Sequence, residues 1–375
     1  MDTPLPRRAF LAAAGLAATA GCLGGSAPSS GASADTDVPT GTTAGATTTG
    51  GSADQPPLAD GRLPLPMTGD ELREAARSGG PPKDGIPSID DPSFVGAEAA
   101  SSRLSEGDVV FGVARDGVAK AYPQSILVWH EIANDVVAGE RVSVTYCPLT
   151  GTAQGFLRGE TTFGVSGRLL NNNLIMYDRA TENWWPQVLA TSIPGPWNTD
   201  LAGNSLREFR VVWTTWGRWK ARHPETEVLS TDTGYARNYD SDPYGSYNPR
   251  GGYYESSNTI FPRLNENDRF QAKLVVMGVR TPDGAAAAPK QLLREQGLIE
   301  GEIDGTPLLW AYDPDLDTAH AYWNPDGLDF SSRRGQVAGP DGTHDPDALP
   351  LERALTFDAM WFAWSGFYPE TGVHG

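Results

Sequence analysis

Two side chains of this sequence can do chemistry as a pair: the thiol of Cys147 and the imidazole of His130. Cys147 closes an alternating run, Val142, Val144, Tyr146, which has the period of a half-buried strand. Pro148 follows it and, lacking an N–H, forbids continuation as a central strand; Pro148-Leu149-Thr150-Gly151 then reads as a turn. A thiol at such a strand end is held by rigid backbone on one side, as a nucleophile or a metal-binding sulfur needs. The competing reading is a small buried hydrophobe. His130 lies upstream, on a segment with helical spacing.

Three chemistries use these groups. A cysteine nucleophile needs a base to make thiolate, and His130 can serve, oriented by Glu131 or Asp135. A soft-metal site for copper or zinc would use Cys147 and His130 with a further ligand, for which Asp178 and Met176 are candidates. A non-catalytic small-ligand or carbohydrate cleft would instead use Asn172, Asp178 and Trp185, with Asn171, Asn173 and Trp184 beside them. Cys-x-x-Cys, His-Glu-x-x-His, phosphate-loop and Gly-x-Ser-x-Gly patterns do not occur.

The elements that must position these residues occur twice. Val109-Val110-Phe111-Gly112-Val113 recurs as Val275-Val276-Met277-Gly278-Val279, and Ala121-Tyr122-Pro123 as Ala287-Ala288-Pro289. The same register pairs Gly139 with Gly305, Tyr146 with Tyr312 and Pro148 with Pro314. A second block at a shorter offset pairs Trp216, Trp219 and Pro224-Glu225-Thr226 with Trp361, Trp364 and Pro369-Glu370-Thr371. Each copy reads as a strand pair, a helix opening with proline at its first position, further strands and a short tryptophan-bearing helix. The first helix is expected over 123–134, with Ile126, Trp129 and Ala133 on one face, and its counterpart over 289–298. The tryptophans read as a core stripe, each needing one partner for its indole N–H. The fold expected is α+β and β-dominated: two tandem β-rich repeats, each with a short helix after a strand pair, packed as one unit.

Where the copies disagree, one of them is free to carry function. His130 faces Gln296 and Cys147 faces Asp313, so the first copy alone keeps the thiol and the imidazole. It is also the longer copy, with its extra residues in or near 171–187. The chain thus divides into repeat 1 (108–230, the functional copy), a Tyr-rich connecting segment (231–270) and repeat 2 (271–375, degenerate), after an N-terminal extension (61–107).

The first 22 residues read as a twin-arginine export signal with a lipobox: Arg7-Arg8, an apolar small-residue run and Thr19-Ala20-Gly21-Cys22. The run is too short to span a membrane. Cys22 would become the lipid anchor, and residues 23–60, rich in Ser, Thr, Gly and Pro, a flexible tether. The localisation expected is the outer face of the cytoplasmic membrane. Among 375 residues, 47 acidic against 29 basic side chains give a net charge of −18, with five lysines. An acidic, lysine-poor surface suits concentrated salt and leaves no basic face for nucleic acid.

From Asp108 onward the chain resembles the domain-of-unknown-function family 3179, common in exported proteins of haloarchaea and bacteria. The marks are Ala121-Tyr122-Pro123, His130-Glu131, Asn134-Asp135, Tyr146-Cys147-Pro148-Leu149-Thr150-Gly151-Thr152, the 172–178 stretch and 213–224. The resemblance implies no assigned activity. In relatives a second cysteine sometimes makes Cys-Pro-Leu-Cys; here Thr150 holds that position, so the motif has no dithiol.

Overall fold

The computed structural model describes residues 54–375, so the expected export signal, the expected lipobox cysteine Cys22 and most of the expected tether lie outside the described residues. The N-terminal extension holds α1 (Gly69–Ala75), β1 (Arg77–Ser78), β2 (Phe94–Gly96) and α2 (Ala97–Ala100). Repeat 1 then runs β3 (Val109–Arg115), β4 (Val118–Pro123), α3 (Gln124–His130), β5 (Ile132–Val137), β6 (Glu140–Cys147) and β7 (Thr152–Leu157). It continues through β8 (Phe163–Leu170), β9 (Asn173–Asp178), β10 (Trp184–Pro186), β11 (Glu208–Phe209), β12 (Val212–Thr215), α4 (Trp216–Arg222) and β13 (Glu227–Leu229). The connecting segment carries the hairpin β14 (Gly245–Tyr247) and β15 (Arg250–Gly252). Repeat 2 opens with β16 (Val275–Thr281), β17 (Gly284–Pro289), α5 (Lys290–Gln296), β18 (Leu298–Ile303), β19 (Thr306–Asp313) and β20 (Thr318–Trp323). After β21 (Ser331–Arg333), β22 (Gln336–Gly339), β23 (Gly342–His344) and β24 (Arg353–Ala354), it closes with β25 (Thr356–Met360), α6 (Trp361–Phe367) and β26 (Gly372–Val373). Strands dominate and the helices are short, an α+β, β-rich fold.

The pairing repeats along with the order. One sheet runs β12-β3-β4-β13-β2 and its counterpart β25-β16-β17-β26, with β13 parallel to β4 and β26 parallel to β17. A second kind runs β11-β7-β6-β5 and its counterpart β24-β20-β19-β18. Turn chemistry recurs at matching positions: Ala138-Gly139 and Asp304-Gly305 both take positive φ, the primed turn whose twist suits a two-residue hairpin. The repeats diverge between β7 and β12. There repeat 1 builds the sheet β1-β8-β9-β10, and repeat 2 the smaller β21-β22-β23.

The tryptophan helices explain the paired glycines. A side chain at Gly112 would collide with the Trp219 ring, and one at Gly278 with the Trp364 ring, so each indole lies flat on bare backbone of the first strand. The threonine of each Pro-Glu-Thr then accepts the indole proton: Trp219 Nε1 donates to Thr226 Oγ1 at 3.0 Å, and Trp364 Nε1 to Thr371 Oγ1 at 2.9 Å. Trp216, Trp219, Trp361 and Trp364 are all fully buried, and burying each ring without stranding its N–H is what the motif achieves.

The helix after the strand pair is shorter than the spacing suggests. It spans Gln124–His130, with Pro123 as the last residue of β4 and the N-cap, while Ala133 points into the core from β5. The chain leaves the helix through a left-handed residue, Glu131 (φ 59°) in repeat 1 and Gly297 (φ 76°) in repeat 2. The carbonyl of that residue accepts from the next strand, from Tyr146 N at 2.7 Å and Tyr312 N at 2.9 Å. A reversal this tight starts an antiparallel strand at once, which overrides the helical period.

Candidate functional site

Cys147 is the last residue of β6, as Pro148 dictates, and it is sealed in, with 1 % of its surface exposed. Its sulfur packs among Leu149, Leu174, Met176 and Trp185, and the Sγ donates to the Asn172 carbonyl at 3.5 Å. Burial pushes the thiol up to about 11, with the negative charge of Glu131 acting in the same direction and the Thr150 side chain opposing it. The thiol is therefore protonated at neutral pH.

Glu131 shares this environment. Its backbone occupies the left-handed region, which costs a residue with a Cβ about 1 kcal/mol, and its side chain is buried. Burial raises the carboxyl to about 8. Tyr244, from the connecting segment, feels both Glu131 and Cys147, and its hydroxyl is raised by burial and by these two charges. Tyr253 is raised by burial and by Cys147, and its hydroxyl donates to the Leu149 carbonyl at 2.7 Å. A thiol, a carboxylic acid and two tyrosines of the 231–270 segment are thus buried within electrostatic reach of one another.

His130 is fully buried one residue before Glu131, but the sulfur–imidazole bond expected from sequence is not made. Nδ1 is paired with the Pro87 carbonyl and Nε2 with the Tyr239 hydroxyl, both at 2.7 Å, and burial lowers the ring to about 4. A neutral imidazole saturated on both nitrogens ties the helix end to the N-terminal extension and the connecting segment.

The polar residues of 171–187 are occupied inside the protein. Asn172 forms a two-way clamp with Phe261, its Nδ2 donating to the carbonyl at 3.0 Å and its Oδ1 accepting from the amide at 2.8 Å. Asp178 accepts from the Thr181 amide and hydroxyl, both at 2.6 Å, and from Trp185 Nε1 at 2.9 Å. Trp185 is fully buried, so its ring offers no platform for a sugar. Asn173 and Gln187 join Thr145, Thr150 and Thr152 in a buried network between β6, β7 and β9. Among the described residues no group of three or more His, Cys, Asp or Glu is placed to hold a metal ion, so the donor set that copper or zinc would need is not assembled around Cys147.

Sequence reasoning placed Glu131 only as an orienting group for His130. A legible signal was its alignment with Gly297, because glycine recurs where backbone needs positive φ.

The sequence model of the family described as protein of unknown function, DUF3179, matches residues 83–371. The chain belongs to this family. No curated protein and no solved structure matches. The DUF3179 match spans both repeats and the connecting segment, so the thiol, the carboxyl and the two tyrosines above them all fall within the family domain.

Proposed function

We propose that this DUF3179 protein is an extracytoplasmic lipoprotein, held by Cys22 on the outer face of the cytoplasmic membrane, whose first repeat carries a thiol–carboxyl site. The anchoring rests on Arg7-Arg8 and the Thr19-Ala20-Gly21-Cys22 lipobox, and on the acidic composition that suits an exposed surface in salt. Among the described residues no helix is long and apolar enough to cross a membrane. Replacing Cys22 with serine releases the protein into the medium; undiminished membrane retention would sink the anchor.

One observation carries the site: Glu131 keeps a buried carboxyl on strained backbone within electrostatic reach of Cys147, at a position where the other repeat has Gly297. Strain and a buried ionisable group are costs that a scaffold position does not retain. With the acid at about 8 and the thiol at about 11, the pair holds one proton over the intervening range. The two groups act on each other through charge: ionised Glu131 holds the thiol protonated, and a neutral acid at that position eases formation of the thiolate nucleophile in a dry site. His130 is a positioning residue that holds the turn.

Alkylation of the intact protein by iodoacetamide as a function of pH tests this. Glu131→Gln removes the charge that disfavours thiolate, so the Cys147 profile moves to lower pH, whereas His130→Gln, which touches no sulfur, leaves the midpoint in place. An unchanged profile in the Glu131→Gln protein means that the two groups do not form a site.

A further inference from the structure

A groove of about 580 Å³ opens where the two repeats meet the connecting segment, and its wall includes Gly151, from the turn that follows Cys147. Trp213 of repeat 1 and Asp358 of repeat 2, which correspond in the second register, both line it. Two of the chain's five lysines, Lys273 and Lys290, line it as well, joined by Arg250 and Arg294. The lining also holds Glu255, Asp317 and Asp358, and Arg294 pairs with Asp317 as Lys290 does with Asp358, which leaves Lys273 and Arg250 as the cations without a carboxylate partner among the described residues, in a protein of net charge −18.

The two lysines are treated differently. Lys290 is buried against Asp358, Nζ donating to Oδ1 at 2.6 Å. Lys273 is equally buried, yet among the described residues it has no carboxylate partner: its ammonium donates to the Tyr253 carbonyl and lies 3.2 Å from the centre of the Tyr253 ring. Arg250 donates to the Lys273 carbonyl, and Arg250 and Arg263 together disfavour its protonated form, which burial already lowers to about 8. A buried cation among like charges is a costly arrangement that an incoming anion relieves. Among the described residues three polar side-chain atoms of the same lining lack partners: Asp358 Oδ2 has no donor, and the hydroxyls of Tyr247 and of Thr214, on a residue 3 % exposed, are unbonded. An acceptor and two hydroxyls left unsatisfied in a groove that also holds Lys273 call for a ligand carrying both an oxyanion and hydroxyl groups.

We propose that this groove binds a small hydroxylated oxyanion, a hydroxycarboxylate or a polyol phosphate, with its anionic head on Lys273 and Arg250 and a hydroxyl on Asp358. The further step, that a ligand in this groove controls access to Cys147, rests on the thiol–carboxyl reading. Its structural basis is the chain of contacts from Lys273 through Tyr253, whose hydroxyl reaches Leu149, two residues beyond the thiol.

Calorimetric titration of the folded protein at fixed ionic strength, with phosphate, glycerol phosphate, acetate and glycerate, separates the head groups and the hydroxyl contribution. The expected result is tighter binding of one hydroxylated probe than of its bare head. Lys273→Met then weakens every probe at least about tenfold, as loss of a charge-assisted contact does. Lys273→Arg retains binding, and Asp358→Asn reduces only the hydroxylated advantage. Should Lys273→Met fail to fold, Arg250→Gln reads the same loss. Absence of binding by all four probes, or equal binding to the Lys273→Met and native proteins, overturns the proposal. Bound ligand is expected to slow Cys147 alkylation in the native protein and not in the Lys273→Met protein. Binding without that protection overturns the link to Cys147, and if Glu131→Gln still shifts the alkylation profile, the thiol–carboxyl pair survives and the failure belongs to the groove.

Discussion

At the end of its first helix repeat 1 turns on Glu131, and repeat 2 turns on Gly297; at the end of the following strand pair the residues are Cys147 and Asp313. The backbone around them is the same, down to the tyrosine amide that caps the turn. The contents have parted. In repeat 2 Asp313 accepts from the amides of Asp315 and Leu316 and lies 3.5 Å from His320 Nε2, so the carboxylate finishes its own turn. In repeat 1 the corresponding sulfur makes a weak contact to Asn172, is helped by Thr150 and Leu174, and is still pushed up by burial and the charge of Glu131. One copy has spent these positions on satisfying the turn, while the other keeps a buried nucleophile and a strained carboxyl that stability alone would remove.

If the repeats share a scaffold, their tryptophans should be equivalent. Trp219→Ala and Trp364→Ala are each expected to cost about 3–5 kcal/mol in denaturant unfolding, because each empties a fully buried ring site over a glycine. A near-neutral value for either would break the equivalence.

The acid of repeat 1 gives the next effect, in the pH dependence of stability. Glu131 is raised in the folded state, so between its unfolded value of 4.5 and about 8 the folded protein holds a proton that the unfolded chain releases, and stability falls as pH rises. His130 is lowered from 6.5 to about 4, so over that interval the unfolded chain binds the proton and stability rises with pH. The two slopes oppose each other where they overlap. Of these two groups only Glu131 acts between pH 6.5 and 8, with a slope of up to about 1.4 kcal/mol per pH unit. Thermal melts across this window should therefore show declining stability in the native protein and a shallower decline in the Glu131→Gln variant.

The smallest effect sharpens the same contrast. Glu131→Gly gives repeat 1 the residue of repeat 2 and removes the left-handed strain, so it is expected to raise stability by about 1 kcal/mol at neutral pH while abolishing the influence on Cys147. A loss of stability would show that the carboxyl is a structural fixture.

Local rules carried far in this sequence because the repeat applied them twice. Strand alternation and Pro148 place Cys147 at a strand end, and the Trp-x-x-Trp and Pro-Glu-Thr blocks mark a buried stripe with its hydrogen-bond partners, since backbone period, a missing N–H and indole burial act within a few residues. The helix end was less legible. A left-handed residue can stop a helix at any point where the sheet needs the chain to turn back, and Glu131 carries no propensity signal for that role.

Tertiary structure alone decided which groups meet. His130 and Glu131 are neighbours in sequence, yet the helix end aims the imidazole at Pro87 and Tyr239 and sets the carboxyl within electrostatic reach of the thiol. Asn172 and Asp178 read as free polar ligands, and the fold spends them on Phe261, Thr181 and Trp185. Burial is a property of what the rest of the chain places around a residue. A sequence names the titratable groups; the three-dimensional packing sets their charge, their partners and their access to solvent.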